Sequence, residues 1–199
     1  MTRGVSTRKI VIDGNSIPQR ANSGFITAFN AIWGSSNYDM VNIAVGGQNT
    51  DDVLTRLPKY AFAESLAYGE MIYVLHEIRN QIKDGTTPAD ELTKIQNVFS
   101  QIKALNTNIL TVCVLTSASL TTSGDAGSAL LTDIPICNGL IAAESSGYID
   151  LKIDLYNYST FDDPFSSVFS DYVHYSSSGI TQYTNYIANE INDNLLWKH

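Results

Sequence analysis

The stretch "KIVIDGNSIPQR", residues 9–20, carries most of the information about the fold. Its first four residues are apolar enough for a short buried strand. A turn of small residues then leads to Ser16, which is followed by Pro18. An ordinary turn and a nucleophilic serine both fit this pattern, so the rest of the chain has to distinguish them.

Four further runs share the apolar character of the first strand and alternate with helical patterns. The predicted strands are residues 9–12, 39–45, 71–75, 108–116 and 148–151. Several of them are continuously apolar, as expected for strands that are covered on both faces. Because strands that alternate with helices form parallel sheets, the sequence predicts an α/β fold. We expect a three-layer α/β/α sandwich with a central parallel sheet of about five strands.

Helical periodicity predicts the elements between the strands. Apolar residues recur every three or four positions in predicted helices at residues 23–33, 57–69, 87–105 and 179–197. Thr87 is a suitable cap for the third of these helices. Residues 116–136 are the least regular, and we expect a loop with part of a helix there. That segment follows the fourth strand, at the edge of an open α/β sheet where ligands bind.

Composition limits the class of protein and its partners. The length of 199 residues predicts a single domain, residues 1–199. The charged fraction of 16% against 44% hydrophobic residues is typical of a globular chain. A formal net charge of −8 without a basic cluster argues against a nucleic-acid partner. We found no apolar run long enough for a membrane span or a signal peptide, which predicts a cytoplasmic protein, one exported by another route, or one whose signal has been trimmed.

The histidines decide where a serine nucleophile could find its base. His199 is the last residue, His76 ends the third predicted strand, and His174 follows Asp171 by three residues. Serine hydrolysis needs a histidine to take the proton and a carboxylate to orient that histidine. Residues three apart on one turn can face each other, so Asp171 can orient His174. The alternative is that Asp171 caps a helix beside a surface histidine.

The loops after the second and third strands contain groups that can stabilise an oxyanion. Gly46 and Gly47 follow the second strand, where backbone N–H groups can approach a ligand. Asn80 follows the third strand and carries a side-chain amide. Since Ser16 follows the first strand, these loops are expected at the same edge of the sheet. A backbone N–H and an asparagine amide together can form an oxyanion hole.

Four sequence blocks in this order resemble those of the SGNH (GDSL) hydrolase family. They are "IDGNS" (12–16), "NIAVGG" (42–47), "HEIRN" (76–80) and "DYVH" (171–174). The resemblance spans nearly the whole chain and implies a flavodoxin-like serine esterase that forms an acyl-enzyme, with no metal or organic cofactor. It implies that Ser16 is the nucleophile and also an oxyanion donor, with Gly47 and Asn80 as the other donors. It implies that His174 is the base and that Asp171 orients it.

Two of these blocks depart from the family pattern. The usual Gly-Asp-Ser is Gly-Asn-Ser at residues 14–16, and we expect activity to survive because asparagine still forms hydrogen bonds in the turn. The usual Gly-x-Asn-Asp is Ile-Arg-Asn-Gln at residues 78–81. Without this glycine and this acid, the loop need not have the shape that it has in the family. The direction of the Asn80 amide then also becomes an open question. Arg79 is predicted to be solvated.

The favoured function is O-deacetylation of a carbohydrate or polysaccharide, with an acylated small molecule or polysaccharide as the substrate. Residues 116–136 contain few large apolar side chains, which argues against a long acyl chain. A run of aromatic residues could either stack on sugar rings or pack within its loop, namely Tyr156, Tyr158, Phe161, Phe165 and Tyr172. The polar, tyrosine-rich composition and the missing signal fit a phage tail-associated esterase. The alternatives are a lipid esterase or thioesterase of the same family and a catalytically silent carbohydrate-binding module.

Overall fold

The structure is a computed structural model that describes residues 8–35, 37–65, 70–117, 127–158, 160–162, 166–171 and 173–194. The side chains of residues 58–65, 70 and 127–129 are outside this description. The strands are β1 (Arg8–Gly14), β2 (Asp39–Asn42), β3 (Glu70–His76), β4 (Leu110–Leu115), β5 (Leu151–Asp154), β6 (Phe169–Asp171) and β7 (His174–Tyr175). The helices are α1 (Ser16–Arg20), α2 (Asn22–Trp33), α3 (Thr50–Ser65), α4 (Arg79–Lys83), α5 (Pro88–Leu105), α6 (Gly127–Ala143) and α7 (Ser177–Asn194).

Strands β1 to β5 form one parallel sheet in the order β2-β1-β3-β4-β5. Strand β1 lies in the interior of the sheet. Its residue Ile10 pairs with Met40 of β2 on one side and with Ile72 of β3 on the other. The prediction of a parallel sheet of about five strands within an α/β fold is confirmed. Strands β6 and β7 form a separate antiparallel pair outside this sheet.

Each face of the sheet carries its own apolar core. Successive residues of a strand point to opposite faces. On β4, Val112 and Val114 pack in the core that includes α2 and α7, whereas Cys113 and Leu115 pack in the core that includes α5 and α6. This arrangement explains why β4 is apolar at every position except Thr111. Cys113 is a buried free thiol, and so is Cys137 on α6.

Two predicted elements begin well away from the residue at which the sequence pattern places their start. The helix predicted from residue 57 begins at Thr50, because Asp51 and Asp52 supply the acidic first turn that suits a helix N-terminus. The strand predicted at residues 148–151 begins only at Leu151. Before it, the Asp150 N–H donates to the Thr111 carbonyl of β4 at 3.0 Å, and the Asp150 carboxylate accepts from the Thr111 N–H (2.7 Å) and from Lys103 (2.6 Å).

The remaining helices follow the predictions more closely. Thr87 caps α5 by accepting from the Asp90 N–H at 3.2 Å, as predicted. Helix α6 covers the second half of the segment expected to be loop and part helix, and it continues through Pro135 to Ala143. Residues 118–126 of that segment lie outside the described residues. Among the helices that the structure describes, none is long and apolar enough to cross a membrane.

Candidate active site

Ser16 is the first residue of α1 and follows directly from the carboxyl end of β1. The turn before it requires a glycine, because a Cβ on Gly14 would lie 2.1 Å from the carbonyl oxygen of His76 on β3. Gly14 also has a φ of 134°, which side chains rarely adopt. Asn15 then caps α1, since its Oδ1 accepts from the Ile17 N–H at 2.9 Å. Close backbone contact between β1 and β3 thus fixes the position of Ser16.

A chain of hydrogen bonds connects Ser16, His174 and Asp171. Ser16 Oγ lies 3.0 Å from Nε2 of His174, and Nδ1 of the same ring lies 2.9 Å from Oδ2 of Asp171. Because a carboxylate can only accept, the ring carries its proton on Nδ1, and Nε2 is left to accept from the serine hydroxyl. The structure thus brings together the three residues predicted to be catalytic. The geometry is that of a serine nucleophile, a base and an orienting acid.

The Asp171–His174 contact forms on the short β6–β7 pair and not on a helical turn. Asp171 Oδ1 also accepts from the backbone N–H of His174 at 2.8 Å. Partial burial acts to raise the pKa of Asp171, but the hydrogen bonds and charge of His174 outweigh it and lower that pKa. Buried Tyr175 anchors this pair to the main fold, because its hydroxyl donates to Ser117 Oγ after β4 at 2.8 Å.

His76 is not placed to act as a base. It is fully buried on β3, and its Nδ1 lies 2.8 Å from the hydroxyl of Tyr183 on α7. Burial lowers the pKa of His76 to about 3, so the ring is neutral near pH 7. The third histidine, His199, lies outside the described residues. His174 is therefore the described histidine that meets a serine at the sheet edge.

The glycine loop after β2 lies beside Ser16. A Cβ on Gly46 would lie 3.6 Å from Cβ of Ser16, which places this loop against the serine. Gly47 has a φ of 81° and faces open space. Within the described part of the chain, no acceptor contacts the N–H groups of Ser16 or Gly47. These N–H groups are available to an incoming oxygen atom.

Asn80 lies on α4, and two contacts orient its amide. Its Nδ2 donates to the carbonyl oxygen of Gln48 at 2.9 Å, and its Oδ1 accepts from Arg79 at 3.4 Å. The missing glycine of this block does not distort the turn, because Ile78 has a φ of −147° and its side chain is buried in the core. Gln81, in place of the missing acid, accepts from the Asp51 N–H at 3.1 Å.

The prediction that Arg79 is solvated is wrong. Its exposed fraction is 7%, and its guanidinium lies near the carboxylates of Glu77 and Asp171. Burial lowers the pKa of Arg79, while those two carboxylates act in the opposite direction. An arginine is charged at any pH at which such an enzyme works, so Arg79 adds a fixed positive charge beside Asn80.

Two buried networks beneath the site were not predicted. In the first, Arg56 pairs with Asp13 on β1 and donates to the Ile43 carbonyl (3.1 Å) and to Gln48 Oε1 (2.7 Å), which fixes the glycine loop. Tyr73 donates to the second oxygen of Asp13 at 2.6 Å. The sequence feature that could have indicated this network is Asp13, an aspartate at the end of an otherwise apolar strand. The second network is centred on Glu77, which is 1% exposed.

Most of the described aromatic residues before the last block pack within the protein. Phe161 is fully buried, and Tyr158 stacks on Tyr186 of α7 with ring centroids 4.2 Å apart. Tyr156 is half-buried against the core. Phe165 and Tyr172 lie outside the described residues. For the described residues 156–161, loop packing therefore accounts for the side chains better than a sugar platform does.

Solved structures with the same fold include several ester hydrolases. The chain is similar to a lipase/acylhydrolase from Enterococcus faecalis (20% identity, TM-score 0.69, 96% of this chain and 99% of that one). It is also similar to the acetyl xylan esterase AlAXEase (18%, TM-score 0.67, 94% and 100%). A variant of an acetyl-xylooligosaccharide esterase from Geobacillus Stearmophilus is 12% identical (TM-score 0.71, 100% and 99%). The chain has the fold of these ester hydrolases.

This hydrolase fold is the one expected from the SGNH resemblance. No protein-family model and no curated protein sequence matches the chain. The likeness therefore lies in the three-dimensional fold, at low sequence identity over nearly the full length of both chains. In the part of the chain that the structure describes, no group of three or more histidine, cysteine, aspartate or glutamate side chains is placed to hold a metal ion.

Proposed function

We propose that the protein is a serine hydrolase that cleaves carboxylic esters through an acyl-enzyme. The observation that carries this proposal is the hydrogen-bonded chain from Ser16 through His174 to Asp171. It lies at the carboxyl edge of the sheet beside N–H groups that have no described acceptor. The fold shared with several esterases supports the same conclusion.

The proposed reaction has two steps. In the first, Ser16 Oγ bonds to the ester carbonyl carbon while its proton moves to Nε2 of His174. The resulting oxyanion binds the N–H groups of Ser16 and Gly47 and the amide of Asn80. The bond to the leaving alcohol then breaks, and His174 returns its proton to that alcohol. In the second step, water attacks the acyl-enzyme in the same way and releases the acid and Ser16.

The proposed substrate is an O-acetylated carbohydrate or polysaccharide. Two neighbours in fold are an acetyl xylan esterase and an acetyl-xylooligosaccharide esterase, and the sequence argues against a long acyl chain. We expect acetyl esters to be cleaved faster than octanoyl esters. Association with a phage tail stays a prediction from the sequence.

The test is a chain-length series of aryl esters together with acetate release from acetylated xylan and other acetylated polysaccharides. Ser16→Ala should abolish turnover and keep the melting temperature, whereas Ser100→Ala on α5 is the matched control. Asn80→Ala should lower kcat by about 10²–10³ if its amide stabilises the oxyanion. Full activity of the Ser16 and Asn80 variants would refute these assignments. Preference for octanoyl esters would indicate a lipid esterase instead.

Covalent labelling separates the enzyme from a silent binding module. A fluorophosphonate should label Ser16 in the wild-type protein, because the base and the oxyanion donors activate that hydroxyl. His174→Ala should prevent labelling and leave the protein folded. If the wild-type protein binds acetylated polysaccharides but is not labelled and releases no acetate, the protein is a binding module.

A further inference from the structure

Glu77 connects the two turns that carry the proposed nucleophile and the proposed oxyanion amide. One oxygen of its carboxylate accepts from the side-chain amide of Asn15. The other accepts from the backbone N–H of Gln81 at 3.0 Å, and the Asn80 N–H also donates to this carboxylate. All of these groups are buried except Asn80, which is half-buried. Each group that bonds to the Glu77 carboxylate in the described part of the chain is therefore a hydrogen-bond donor.

Asn15 is suited to this contact and an aspartate is not. Its Oδ1 accepts from the Ile17 N–H at 2.9 Å, while its Nδ2 donates to Glu77. Aspartate, the residue expected here from the family pattern, would also accept from Ile17 but would have nothing to donate. Burial raises the pKa of Glu77 to about 8, so above that pH an aspartate here would place a second buried carboxylate against an ionised Glu77, at a high cost in free energy. In this chain the acid of the pair lies on the turn that faces the nucleophile turn.

We propose that Asn15 and Glu77 form a positioning link that holds Asn80 at the correct distance from Ser16. Neither residue touches the reacting atoms. The link acts through the N–H groups at the start of α4, so a shift of Glu77 shifts Asn80 and weakens its hold on the oxyanion. This inference rests on the proposed function for its kinetic consequence but not for its structural one.

Exchange of the two residues is the decisive test. At pH 9, where Glu77 is ionised in the wild-type protein, Asn15→Asp, which restores the family residue, should lower kcat by about tenfold to a hundredfold with KM changed by less than about twofold. Glu77→Gln should lower kcat to a similar extent. In either orientation of the new amide, its NH2 group faces a group that is itself a donor. The double variant Asn15→Asp/Glu77→Gln regains a complete set of pairs and should recover most of the lost kcat. Asn108→Asp, at an exposed turn, is the control for the added charge.

Structural measurements test the link whether or not the protein is an esterase. In Asn15→Asp, the 2.9 Å contact between Asn80 Nδ2 and the Gln48 carbonyl should lengthen or break, and in the double variant it should return. The melting temperature should fall in both single variants and recover in the double variant. An unmoved Asn80 in Asn15→Asp, or a double variant as impaired as the sum of the singles, overturns the inference. Lower melting temperatures with unchanged kcat in the singles would also overturn it. Absence of ester hydrolysis in the wild-type protein would refute the proposed function alone.

Discussion

Glu91 on α5 should make the stability of the protein fall as the pH rises. Its carboxyl group is fully buried, with one oxygen accepting from Thr50 at 2.6 Å and no described partner for the other. Burial raises the pKa of Glu91 from 4.5 to about 9. Below pH 4.5 the group is protonated whether the protein is folded or not. Between pH 4.5 and about 9 only the unfolded chain loses the proton, which favours unfolding.

Glu91→Gln isolates this effect because the variant cannot ionise. Its constant cost is about 1–3 kcal/mol, since its buried amide lacks an acceptor. Relative to the wild-type protein, the variant should gain stability by about 1.4 kcal/mol for each pH unit, or about 4 kcal/mol between pH 5 and pH 8. Urea unfolding at pH 5, 6, 7 and 8 measures the difference. Glu190→Gln, on half-exposed α7 surface, is the control. Parallel pH curves for Glu91→Gln and wild-type protein would refute the reasoning.

Three further predictions concern the site and the core. Asp171→Asn should lower kcat by about 10⁴ with little change in melting temperature, because the Asp171 side chain is 57% exposed. Arg56→Met should destabilise the protein by about 3–5 kcal/mol, because it leaves the Asp13 carboxylate buried and unpaired, and adding Asp13→Asn should recover part of this loss in urea unfolding. A thiol reagent should label neither cysteine in the native protein and both in guanidinium, since burial raises the pKa of Cys113 and Cys137 and excludes the reagent. Rapid native labelling would contradict the described packing.

The sheet and the candidate triad could be predicted because their signals are local or simple to combine. Strand β4 is apolar at every position except Thr111, and such a run admits few other interpretations. Ser16, Asp171 and His174 follow from the order of short blocks along the chain. Parallel strands bring their carboxyl ends together, so loops far apart in sequence meet without any further assumption.

The rest depended on contacts between distant residues. Nothing near Arg79 in the sequence indicates that it is buried or that the carboxylate of Asp171, 92 positions away in the chain (171 − 79), lies near it. The start of α3 at Thr50 was missed because the apolar pattern is weak where the helix caps itself with acidic residues. The partnership of Asn15 and Glu77 joins residues 62 positions apart, and each alone resembles an ordinary polar turn residue.

The attachment of β6 and β7 has a consequence for heat tolerance. The nucleophile is fixed by the sheet, whereas the base and its carboxylate lie on a two-strand hairpin outside it, which Phe169 and Tyr175 attach to the core. The described part of this hairpin has two paired positions, and Asp171 is exposed; small elements with exposed backbone hydrogen bonds open at lower free energy than the body of a protein. Warming should therefore separate the two halves of the site reversibly before the sheet melts. Catalysis would then fail at a lower temperature than folding and return on cooling, which makes the hairpin the place to add stability.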